Sequence, residues 1–220
     1  MTVLVSKVLL VEGIEDEKVI SKLLPRRKIQ YKDFTISNQN GLQKLLQALP
    51  TFIKTGNYAV IGVIVDADND LQKRWEEIRQ ILQKSGYQNI PSSPSPKGIV
   101  LEDEYEDLAT IGVWLMPNNQ ISGALEDFIQ LLIPEKDDLL PIAEETIQKL
   151  IADGKSRFSV SSDKKAPKAL IHTWLAWQER PGTLLGNAIT YRYLKTQAYL
   201  LDDGKASDFI EWMQKLFKDL

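Results

Sequence analysis

Residues 60–65, Val-Ile-Gly-Val-Ile-Val, are apolar at every position. That pattern belongs to a strand covered on both faces, not to one with a wet side. Residues 4–11 read as a second such strand, broken only by Ser6 and Lys7. Between them, Val19, Ile20, Leu23 and Leu24 recur at helical spacing, and residues 34–37 are compatible with a short strand. Leu42, Leu45, Leu46, Leu49 and Phe52 mark an amphipathic helix leading into the strand at 60. A further helix is expected over 71–85, with Leu71, Trp75, Ile78 and Leu82 as its apolar stripe. Pro91-Ser92-Ser93-Pro94-Ser95-Pro96 is loop by composition. Strands are expected at 99–101 and 111–116, and helical spacing dominates from about residue 124.

Strands alternating with helices imply a parallel sheet with right-handed crossovers. The expected fold class is α/β: a mostly parallel, Rossmann-like sheet flanked by helices, with a helical C-terminal region packed on it. The natural division is an α/β core over 1–133 and a helical extension or lid over 134–220. Phe209-Ile210-Trp212-Met213-Leu216-Phe217 is strongly amphipathic, and packing against the sheet explains it more simply than a membrane or a partner helix.

The polar residues matter most where strands stop. The strand at 60 runs directly into Asp66-Ala67-Asp68-Asn69-Asp70. Along an extended backbone, side chains two apart point the same way, so Asp66 and Asp68 are expected to aim at one spot. In open α/β sheets, ligands bind beyond the carboxyl ends of the strands. Two carboxylates held together repel unless a proton or a cation intervenes, and hard oxygen ligands select Mg²⁺ or Mn²⁺. Glu12 abuts the end of the first strand in the same way, Gly13 permits a sharp turn, and Asp16 falls in the first turn of the next helix.

Val11-Glu12-Gly13 with Asp16, joined to Val65-Asp66-Ala67-Asp68, resembles the TOPRIM domain shared by topoisomerases, bacterial primases and the overcoming-lysogenisation-defect nucleases. Residues 113–119, 123–127 and 168–177 resemble a narrower TOPRIM-like family known only as a domain of unknown function. The resemblance implies Glu12 as acid/base and Asp66 and Asp68 as metal ligands. By likeness to the nuclease branch, it implies Asp16 and Glu126 for a second ion. Unlike the primases, this chain has no cysteine for a zinc module.

Asp66, Asp68, Asp70 and Glu77 also stand at positions one, three, five and twelve of a calcium EF-hand loop. Leu71 occupies the position that needs glycine, and a strand precedes the loop where an EF-hand has a helix. Asp70 is better read as a helix-start residue and Glu77 as a solvated charge.

Composition narrows the picture further. The 220 residues (25.0 kDa) are 43% hydrophobic and 26% charged, ordinary for a globular chain. No apolar run is long enough to span a membrane, and no signal-peptide pattern opens the sequence, so a cytoplasmic location is expected. The absence of cysteine excludes disulfides and thiol chemistry, and a single histidine excludes a His-rich metal centre. A net charge of −3 argues against a large nucleic-acid footprint, although acidic metal ligands account for part of it. Arg26-Arg27-Lys28 follows Pro25 at a helix end and reads as a solvated C-terminal cap. Lys164-Lys165 and Lys168 open the last family-like segment; Lys165 or Lys168 would hold a phosphate oxygen. The acidic run 102–107 reads as a solvated loop. Tyr191 and Tyr193 are better explained by helix packing than as topoisomerase-type nucleophiles.

The expected activity is Mg²⁺- or Mn²⁺-dependent hydrolysis of a nucleic-acid phosphodiester, DNA or RNA. The alternative is a non-catalytic metal-binding module that serves a partner protein or nucleic acid. No Walker A motif is present, so any ATPase partner would be a separate chain.

Overall fold

The computed structural model describes residues 6–26, 34–103, 107–158, 165–178, 180–188 and 206–217. Lys28, Lys164, Tyr191 and Tyr193 lie outside the described residues, as do Arg27 and the middle of the acidic run. Five strands, β1 (Lys7–Val11), β2 (Thr35–Asn38), β3 (Val60–Asp66), β4 (Ile99–Leu101) and β5 (Thr110–Met116), form one sheet in the order β2-β1-β3-β5-β4. The fold is α/β with a mostly parallel sheet flanked by helices. β4 alone runs antiparallel. The connection from β4 to β5 explains this: a parallel return needs a crossover of a dozen or more residues, and 102–109 is too short.

The alternating side chains of the central strands feed two apolar layers. Val8, Leu10, Ile61, Val63, Val65, Ile111, Val113 and Leu115 face α2 (Leu42–Lys54) and α3 (Leu71–Lys84), where Leu45, Leu49, Trp75, Ile78 and Leu82 are buried. Leu9, Val11, Ile64, Trp114 and Met116 face the other way. That layer holds α1 (Ile14–Arg26), α4 (Leu125–Leu132), α5 (Leu139–Ala152), α6 (Lys165–Ala176), the short α7 (Leu185–Ala188) and α8 (Ser207–Leu216). Because both faces are covered, residues 8–11 of β1, 60–65 of β3 and 111–116 of β5 read as unbroken apolar runs.

α8 reaches the sheet through a gap in the side chains. Gly62 and Gly112 are register partners on β3 and β5. A Cβ on Gly62 would stand 2.6 Å from Leu9 Cδ1 and 3.1 Å from both Leu216 and Phe217, and a Cβ on Gly112 would collide with Leu216. The paired glycines therefore form a notch for the last turn of α8. Trp212 Nε1 donates to the Ile99 carbonyl at 3.0 Å, and Lys97 bridges Asp208 and Glu211 at 2.6 and 2.9 Å. Phe217 stacks on Phe34 with centroids 4.2 Å apart. The amphipathic close of the chain is thus sheet packing, as its periodicity implies. Among the described residues, no helix is long and apolar enough to cross a membrane.

Candidate functional site

The sheet order places β1, β3 and β5 side by side, so their carboxyl ends make one edge. Glu12 follows β1, Asp66 closes β3, and the turn after β5 delivers α4. In that turn the Asn119 side-chain oxygen accepts from the Leu115 N–H at 2.7 Å, and Asn118 accepts from the N–H groups of Gln120 and Ile121. Asp127 caps α4 by accepting from the Ala124 N–H at 2.7 Å. That leaves its neighbour Glu126 turned towards the acidic edge.

Five carboxylates meet there. Asp66 has the parity of Ile64 and so faces the α1–α4 layer. Its Oδ1 accepts the Leu125 N–H at 3.1 Å, taking up one of the unpaired donors at the start of α4. Its backbone N–H lies 3.4 Å from Glu12 Oε2. Burial raises the Asp66 carboxyl well above the usual carboxylate range, and the charges of Asp16, Glu12, Asp68 and Glu126 raise it further. Asp16 is 7% exposed. Burial, with Glu12 and then Glu126 beside it, pushes Asp16 up to about 7, against the opposing hydrogen bond from Gly13. That bond joins the Gly13 N–H to Asp16 Oδ2 at 3.0 Å. Gly13 does not adopt a positive φ. Its missing side chain matters instead because a Cβ would stand 3.1 Å from Asp16 Oδ2.

Asp68 departs from the simple alternation expected of it. The strand ends at Asp66, and Asp68 takes a left-handed backbone (φ 59°) while its N–H donates to the Gly123 carbonyl at 2.8 Å. Its carboxylate is thereby brought to Arg74 on α3, with Nη2 2.6 Å from Oδ2. Asp68 remains near enough to Asp66 to raise it. Arg74 also donates from Nε to the Asp66 carbonyl at 3.0 Å and from Nη1 to Glu77. Glu77 is therefore the guanidinium's partner and not merely a solvated charge. Asp70 is the N-cap of α3, accepting the Lys73 N–H at 2.9 Å. The guanidinium thus pairs with two of the carboxylates that an EF-hand would turn on calcium, Asp68 and Glu77. Arg74 escaped the sequence reading, although its signal was there: a cationic residue one helical turn past a capped, acidic strand end.

Of the two lysines, Lys168 reaches the site. Its Nζ lies 3.3 Å from Glu126 Oε1, and Lys168 is 62% exposed while Glu126 is only 12% exposed. Lys165, at the first residue of α6, is exposed and makes no ion pair among the described residues.

The donor set is all oxygen and strongly anionic, the chemistry that suits Mg²⁺ or Mn²⁺. Asp16 Oδ1 is buried without a hydrogen-bond partner, an acceptor that a cation or a proton would satisfy. Among the described residues, no three carboxylates already stand close enough around one point to hold an ion. Each carboxylate already has its own partner: Asp66 accepts from Leu125, Asp16 from Gly13, Asp68 from Arg74, and Glu126 forms an ion pair with Lys168. Residues 6–218 match a family described as a protein of unknown function, DUF3226, and the chain belongs to that family. No curated protein and no solved structure matches it.

Proposed function

We propose that this chain is a Mg²⁺- or Mn²⁺-dependent phosphoryl-transfer enzyme of TOPRIM-like type, a nuclease hydrolysing nucleic-acid phosphodiester bonds. The observation that carries the reading is the gathering of Glu12, Asp16, Asp66, Asp68 and Glu126 at one sheet edge, with Asp16 raised by burial and by Glu12 and Glu126, and Asp66 raised by burial and by its four acidic neighbours. Buried carboxylates that raise one another's proton affinity are stabilised when protonated or neutralised by a cation. Asp66, Asp68, Asp16 and Glu126 would hold the metal, which supplies charge neutralisation at a phosphoryl oxygen. Glu12, lying beside the Asp66 backbone, is the group placed to carry a proton to or from the reacting oxygen. Lys168, exposed yet paired with Glu126, is placed to take a phosphate oxygen that enters from solvent.

One observation favours a second reading. Arg74 and Lys168 already neutralise part of the cluster, and the carboxylates are spread apart, as expected for a non-catalytic module serving a nucleic acid or a partner protein such as a separate ATPase chain. The two readings part on turnover. Purified protein is incubated with plasmid, single-stranded DNA and RNA in Mg²⁺ or Mn²⁺. Asp66→Asn and Glu12→Gln should each lower cleavage about a thousandfold or more while the fold is retained. Cleavage that survives both substitutions would place catalysis elsewhere and leave the module reading standing.

A further inference from the structure

Arg74 spans two elements and three acceptors: the carbonyl at the end of β3, the carboxylate of Asp68 and that of Glu77 one helical turn away. Its side chain is only 11% exposed, and Asp68 is 12% exposed. A guanidinium is planar and permanently charged, so donors leaving in different directions from one rigid group fix their acceptors relative to one another. Here two of the three acceptors belong to Asp66, which ends the strand, and to Asp68 in the loop beyond it. The contact to Asp68 is made from Nη2 to Oδ2 at 2.6 Å, so the guanidinium sets the direction of that carboxylate. A cleft of about 230 Å³ borders this group, lined by Asp68, Asp70, Lys73, Arg74 and Glu77. Three carboxylates to two cations make it a poor receptor for phosphate, which argues that Arg74 is turned inward to the loop and not outward to a substrate.

We infer that Arg74 is the positioning residue of the metal centre: it orients the Asp68 carboxylate and anchors the Asp66 carbonyl so that the strand-end loop is ordered before a divalent ion arrives. The inference rests on the metal-centre reading above. The left-handed backbone at Asp68 is tied by its N–H bond to the Gly123 carbonyl, and the guanidinium holds its carboxylate as well.

Calorimetric Mn²⁺ titration of the full chain tests this, with Asp66→Asn beside Arg74→Gln, Arg74→Lys and Glu77→Gln. Thermal unfolding without metal is measured for each, together with the electron paramagnetic resonance spectrum of bound Mn²⁺. Arg74→Gln should weaken Mn²⁺ by about tenfold or more and alter the spectrum at saturating metal. Arg74→Lys should recover the unfolding midpoint but not the affinity, because charge without the planar fork cannot hold both acceptors. Glu77→Gln, at a more exposed position that leaves Asp68 paired, keeps the protein folded and should give a smaller loss in the same direction. Affinity equal or higher in Arg74→Gln, or fully restored by Arg74→Lys, overturns the positioning role while leaving the metal centre intact. Wild type that binds no Mn²⁺, or Asp66→Asn that binds as well as wild type, overturns the metal centre and this role with it.

Discussion

Asp16 sits where a carboxylate is costly, buried beside Glu12 and near Glu126. Its folded pKa of about 7 lies above the unfolded value of 3.8, so between those values the folded chain holds a proton that the unfolded chain has released. Stability therefore falls as pH rises through that window, and the cost is complete above about 7. Asp16→Asn imitates the protonated form. Without divalent ions it should unfold at a higher temperature than wild type at pH 8, by up to roughly 4 kcal/mol in stability, with the difference vanishing near pH 4. Thermal unfolding across pH reads this directly, and equal midpoints at pH 8 would remove Asp16 from the strained cluster. Glu12 and Asp66 were legible in the sequence because each follows an unbroken apolar run, and such a run fixes where a strand stops. The orientation of Asp68 was not legible, since the two-residue alternation holds only while the backbone stays extended and it fails at φ 59°. Nor was the Asp68 contact to Arg74, which depends on how α3 lies across the end of β3.

At the scale of elements, periodicity gave nearly all of the helices and strands among the described residues, because covered strands and amphipathic helices leave different spacings. The direction of β4 is a property of the connection after it, not of its three residues. The Gly62–Gly112 pair escaped for a similar reason: the residues are 50 positions apart and meet only through strand register. Their effect is open to measurement. Gly112→Ala should cost about 1–3 kcal/mol in chemical denaturation by forcing Leu216 out of the notch. Trp212→Ala removes a fully buried ring and its hydrogen bond to Ile99, and should cost about 3–5 kcal/mol. If both variants unfold like wild type, α8 is not held where it lies here. The exposed Lys97 bridges to Asp208 and Glu211 are a minor part of that hold, since solvent-exposed ion pairs are weak.

For the whole molecule, the proposed metal-dependent function would tie folding to metal through the acidic edge. A bound cation would compete with the proton on Asp16, whose carboxyl is pushed up to about 7, and would win more easily as that proton leaves. Saturating Mn²⁺, at about a hundred times its dissociation constant, should raise the unfolding temperature by roughly 5–10 °C at pH 8 and by less than half of that at pH 5. A shift independent of pH would mean that the ion binds away from these carboxylates. The route by which the molecule is made is also constrained by the notch between β3 and β5. When the chain has been synthesised as far as residue 133, every described strand and four helices, α1 to α4, have been made, yet not α8, which fills that notch and stacks Phe217 on Phe34. Until α8 emerges, Gly62, Gly112 and Trp114 face water on a sheet that has no partner there. The sheet therefore cannot be fully covered until α8 has been made, and its exposure to aggregation is greatest in the interval when the strands are complete and that cover is still being translated.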